Sequence, residues 1–122
     1  MPAVLVAAAL VVAAAPKLVD LPDLRADQAY QRDLAADLTR VIDRAGGRDA
    51  LLVCGRPYVG DLRGPLLAYH LDVEKRRVAF VPRPPGAVFR SRIARDAPVE
   101  PATGPAFIER AHVGRWAVLA AC

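Results

Sequence analysis

From Asp23 to Ala45 the apolar side chains Tyr30, Leu34, Leu38, Val41, Ile42 and Ala45 recur every three or four positions, the spacing of one face of an α-helix. Arg32, Asp33, Asp37, Arg40, Asp43 and Arg44 are expected on the opposite, solvated side, with Asp37 and Arg40 spaced as a weak ion pair. Asp23 suits the helix start and Gly46-Gly47 its end. The pattern predicts a long amphipathic helix lying on a sheet. Its acidic residues argue against a helix lying flat on an anionic bilayer.

Shorter apolar patterns predict the sheet. Ala50 to Cys54 is a continuous apolar run, as expected of a strand covered on both faces. Gly55 to Gly60 predicts a loop, Gly64-Pro65 the start of a short helix reaching about His70, and Arg76 to Val81 a second strand. Strand, short helix and strand in this order predict a parallel crossover. Pro82 to Gly86 ends that unit, and Val88 to Ile93 alternates as a half-exposed strand does. Asp96 to Pro105 is rich in proline and predicts a loop. Phe107–Val113 and Arg115–Cys122 then predict two strands turning at Gly114. The expected fold class is α/β, with α+β as the alternative: a mixed sheet of about four or five strands, one long amphipathic helix and one short helix.

Ahead of these elements, residues 3–15 (AVLVAAALVVAAA) are uninterruptedly apolar. As a helix they cover about 20 Å, less than the roughly 30 Å hydrocarbon layer of a bilayer. The run suits a signal-peptide core, with Ala13-Ala14-Ala15 as a small-residue cleavage pattern, although no basic segment precedes it. It equally suits the tail of a longer transmembrane helix, and the remaining alternative is a buried element. Export or anchoring is preferred. Residues 1–16 are therefore assigned as a membrane or signal segment, and 17–122 as one extracytoplasmic domain.

Composition narrows the function. The 122 residues, 54% hydrophobic and 25% charged, make one globular domain. The net charge of +4 is uneven: residues 1–72 carry −1 and residues 73–122 carry +5. The second half could thus face a membrane surface or an acidic glycan, with an ordinary arginine-rich solvated surface as the preferred reading. Nucleic acid is not expected, because the basic residues lack interleaved aromatics and a recognition motif. With no asparagine in the chain, N-glycosylation is excluded.

Cys54 and Cys122 are the only cysteines. In an oxidising compartment such a pair commonly forms a disulfide, here closing a loop of roughly seventy residues. Two buried thiols, or a reactive or metal-bound pair, are the alternatives. The segment after Cys54 holds the best candidate ligand site: Arg56, Tyr58, Asp61 and Arg63 could offer hydrogen bonds to a sugar or phosphate at a strand's C-terminal end. A tight structural turn explains the same residues. No glycine-lysine-serine/threonine follows, so this is not a P-loop.

Catalytic candidates are weak. Ser91 is the only serine and lacks flanking elbow glycines. A Cys54–His70 dyad is incompatible with a disulfide. Cys54, His70, His112 and Cys122 contain no local metal-ligand pair. Asp33 and Asp37 share a helix face, but a solvated face does not raise a catalytic acid's pKa. Asp72 and Glu74 are expected to meet the basic run Lys75–Arg77. No catalytic residue, cofactor or metal is assigned.

The apolar head, the segments 24–39 (LRADQAYQRDLAADLT) and 52–72 (LVCGRPYVGDLRGPLLAYHLD), and the ending 113–122 (VGRWAVLAAC) resemble the C-terminal extracytoplasmic domain of actinobacterial polytopic membrane proteins. Those proteins are similar to membrane-embedded, lipid-linked-sugar (GT-C-like) glycosyltransferases, whose catalytic acid belongs to a region near the first transmembrane helices. The resemblance implies extracytoplasmic placement, a helper role beside the membrane-embedded part of a longer protein, and no catalytic residue here. The expectation is a non-catalytic accessory domain contacting glycan, lipid headgroup or partner. A small secreted enzyme using the Gly55–Gly64 loop, or a disulfide-stapled structural protein, is the alternative.

Overall fold

The computed structural model describes residues 21–122; the apolar segment assigned to 1–16 lies outside the described residues. Helix α1 (Leu21–Arg44) is followed by α2 (Arg48–Cys54), strand β1 (Arg56–Val59), α3 (Gly64–Leu71) and a 3-10 turn (Lys75–Arg77). Strands β2 (Gly86–Arg92), β3 (Val99–Glu100), β4 (Ile108–Val113) and β5 (Trp116–Ala121) complete the chain. The mixed five-stranded sheet runs β1-β2-β5-β4, with β3 attached to β2. This is the expected α/β class, with three helices among the described residues.

β1 and β2 are parallel, pairing Arg56 with Gly86 through Val59 with Phe89, and α3 lies in the crossover between them. The remaining pairings are antiparallel. Val113 opposite Trp116 leaves Gly114-Arg115 as a two-residue turn. Gly114 has φ +55°, and a side chain there would run into the Asp37 carboxylate. Glycine is therefore required for both backbone and space.

The helix-facing side of the sheet buries Val59, Ala87, Phe89, Trp116 and Val118 against Leu34, Leu38 and Val41 of α1 and Leu67 and Leu71 of α3. On the opposite side Tyr58, Val88 and Leu119 form one cross-strand row, closed over by Phe107. Two polar contacts align α1 with the sheet. Trp116 Nε1 donates to the Leu34 carbonyl at 2.7 Å, and the Tyr30 hydroxyl donates to the Arg92 carbonyl at 2.8 Å. A buried indole N–H without an acceptor would be costly, so Trp116 fixes the position of α1 as well as filling the core.

Four elements differ from expectation; one is β3 (Val99–Glu100), which forms inside the stretch Asp96–Pro105 expected as a loop by pairing with the end of β2. Ala50–Cys54 belongs to helix α2, not a strand. A short apolar run fits either element; here only Leu51 is buried and Val53 is 87% exposed. The strand position beside β2 is taken instead by Arg56–Val59, the stretch expected as a loop, whose Pro57, Tyr58 and Val59 are buried. Arg76–Val81 forms no strand. It turns in a 3-10 segment, and Ala79 alone bridges β1, through Val59 N to Ala79 O and Ala79 N to Pro57 O, both 3.0 Å. Pro82, Pro84 and Pro85 prevent the pairing from extending, because proline has no N–H for the ladder. The parallel crossover is real but joins β1 to β2.

Cys54 and Cys122 form a disulfide, with Cα atoms 4.4 Å apart. It joins the end of α2 to the residue following β5.

Candidate functional site

The four residues nominated from the sequence do not converge. Arg63 turns inward and is 3% exposed. Its Nη1 donates to the Ser91 carbonyl and, at 2.8 Å, to the Ser91 hydroxyl. Nη2 meets Glu100 at 3.1 Å, and Nε reaches the Asp61 carbonyl at 3.4 Å. Gly60 makes this possible, since a side chain there would overlap the Arg63 guanidinium. Burial pulls the Arg63 guanidinium below its ordinary pKa, and the Glu100 carboxylate opposes that shift. The group ties the α3 entry to β2 and β3. Asp61 is exposed in the turn and contributes only its backbone carbonyl to this network.

Arg56 and Tyr58 do share a site. With Val78, Ala79, Phe80, Val81 and Arg83 they line an open groove along the outer edge of β1. Tyr58 is largely buried and forms its floor. Phe80 is 45% and Val81 69% exposed, beside two exposed arginines. Among the described residues no acidic one lines the groove. Phe80, Val81 and Arg83 were hidden from sequence reasoning by the expectation of a strand through Val81. The proline cluster at positions 82, 84 and 85 is the signal that this segment leaves the sheet.

The carboxylate pair on α1 is also placed differently. Asp37 is buried, not solvated: it accepts from the Arg115 backbone N–H and from Arg115 Nη1, both at 3.2 Å, while Arg40 lies 3.5 Å away. Asp33 meets Arg115 Nη2 at 3.3 Å. Positions 30, 34, 37 and 41 are spaced by four, three and four, which puts Asp37 on the buried stripe itself; that spacing was the available signal. The pair anchors the β4–β5 turn to the helix. Arg115 also covers the Tyr30 ring at 5.1 Å, and burial raises the Tyr30 pKa against the opposing charge of Arg115.

The other candidates are similarly occupied. Ser91 Oγ is held by Arg63, and the Cys54 thiol is consumed in the disulfide. His70 Nδ1 lies 2.9 Å from the Leu66 carbonyl in its own helix. Asp72 and Glu74 pair with Arg48 and Arg76 respectively, so only Glu74 meets the basic run expected for both. Among the described residues no group of three His, Cys, Asp or Glu side chains is placed to hold a metal ion, and no helix is long and apolar enough to cross a membrane. Comparison with protein-family models, with curated proteins and with solved structures finds no match.

Proposed function

We propose that this chain is a non-catalytic accessory domain of a membrane protein, placed on the extracytoplasmic side, which contacts anionic lipid headgroups through the Arg56–Arg83 groove. The observation carrying this reading is the groove itself, where two arginines without a carboxylate partner among the described residues flank the exposed Phe80 and Val81, and no described acidic residue lines its walls. Arginine side chains suit phosphate oxygens, and neighbouring apolar side chains suit the headgroup–acyl boundary. The disulfide supports an oxidising compartment, the location that the sequence resemblance implies. Occupation of Ser91, Cys54, Asp33 and Asp37 by structural partners supports a binding role over a catalytic one.

Partition of the full chain between phosphatidylcholine vesicles and vesicles enriched in phosphatidylglycerol tests this. At about 1 kcal/mol per arginine near an anionic surface, the pair accounts for roughly a thirtyfold preference for the anionic vesicles. Arg56→Gln/Arg83→Gln removes that preference while leaving binding to the neutral vesicles unchanged. An unaltered preference in the double variant overturns the proposal.

A further inference from the structure

Arg90 and Arg92 lie two positions apart on β2, so their side chains leave the same face of the strand about 7 Å apart. On the neighbouring strand Ala117 stands opposite Arg90, and on the strand beyond it His112 stands opposite Ala117. A methyl group between long basic side chains leaves a hollow. The structure has a cavity of about 360 Å³ there, lined by Arg90, Arg92, Val99, His112, Arg115 and Ala117. Among the described residues four basic ones line it and no acidic one does.

These four are not equivalent. Arg115 is neutralised by Asp33 and Asp37. His112 lies 3.6 Å from Glu109 and contacts the Gly114 carbonyl. Arg90 and Arg92 have no carboxylate partner among the described residues. Each is pinned by a neutral backbone acceptor: Arg90 Nε donates to the Pro101 carbonyl at 2.9 Å, and Arg92 Nη1 donates to the Ala97 carbonyl. Such pinning orients a guanidinium while leaving its charge uncompensated and further N–H groups free. Two like charges on one strand face repel each other, and an anion between them converts that repulsion into attraction.

We propose that this hollow binds a multivalent oxyanion, the phosphate or sulfate group of a small molecule, held by Arg90 and Arg92 above the Ala117 floor. The site is separate from the Arg56–Arg83 groove and does not depend on its function.

Titration of the full chain with inorganic pyrophosphate at low salt, followed through backbone amide resonances, tests the proposal. The expected result is saturable shifts at Arg90, Arg92 and Ala117. Arg90→Gln and Arg92→Gln each weaken binding by roughly tenfold, the loss of a charge-assisted contact. Ala117→Leu weakens it comparably by filling the hollow without altering any charge, whereas Arg77→Gln, outside the cavity, leaves it unchanged. Adding phosphatidylglycerol vesicles distinguishes sources of the phosphate: competition at the same amides assigns a lipid headgroup, and its absence a soluble phosphoester. Linear, unsaturable shifts overturn the proposal, as does wild-type affinity in a folded Ala117→Leu variant. Should that variant fail to fold, wild-type affinity in Arg90→Gln, which alters only a partly exposed side chain, overturns it instead.

Discussion

Arg63→Ala removes three hydrogen bonds that tie the α3 entry to β2 and β3, and a fourth within the turn to the Asp61 carbonyl. The Ser91 carbonyl and hydroxyl are buried and lose their donor, and a buried polar group left without a partner costs about 1–3 kcal/mol. The Glu100 pair is half exposed on the acid's side and adds about 0–1 kcal/mol. The expected loss is about 3–5 kcal/mol, carried mainly by the two Ser91 groups left without a donor. Against a total of about 5–15 kcal/mol for a typical domain, that is a large share. At about 4–8 °C per kcal/mol the melting temperature falls by roughly 12–40 °C. Urea unfolding followed by the fluorescence of Trp116, with its slope unchanged, measures the difference directly. Arg63→Lys keeps the charge but lacks the planar fork that reaches Ser91 and Glu100 together, so it recovers only part of the loss. A cost below about 1 kcal/mol for Arg63→Ala, with the fold intact, would refute the structural role and return Arg63 to the ligand candidates.

Two further perturbations test other parts of the fold. Cys54→Ala/Cys122→Ala opens a cross-link spanning 68 positions and should cost about 4 kcal/mol in urea unfolding; stability equal to wild type would show that the bond contributes nothing. Burial raises the Tyr30 pKa above its usual 10.0 in the folded protein, so its contribution is complete below the unfolded value and is lost as pH rises through the folded one. Tyr30→Phe should cost about 1 kcal/mol at neutral pH by deleting the bond to the Arg92 carbonyl, and its deficit against wild type should shrink above pH 10. A gap that stays constant to the alkaline limit of folding would contradict this assignment.

The elements that can be read from sequence are those whose own periodicity specifies them. The α1 stripe of Tyr30, Leu34, Leu38, Val41 and Ile42 is buried as its spacing predicts. β2, β4 and β5 also lie close to their predicted positions, β2 being bounded by prolines and the β4–β5 hairpin turning at a glycine that must adopt positive φ. By contrast, Ala50–Cys54 and Arg76–Val81 read as strands but are not, because a short apolar run fits a strand or a helical segment equally well. Only competition for the edge of β2 resolves them: Arg56–Val59 pairs there, leaving α2 outside the sheet and Ala79 as a single bridge.

The candidate sites divide along the same line. Sequence alone determined the apolar head, the excess positive charge of the second half and the availability of two cysteines for pairing, because these properties depend on residue type and not on neighbours. Tertiary structure decided which charges are free. Arg63 and Asp37 resemble any other surface arginine and aspartate until β2, β3 and the β4–β5 turn arrive beside them. Arg56, Arg83, Arg90 and Arg92 have no carboxylate partner among the described residues. Whether a charged side chain serves the fold or a ligand depends on its partners, and here those partners lie up to 82 positions away in sequence, as Arg115 does from Asp33.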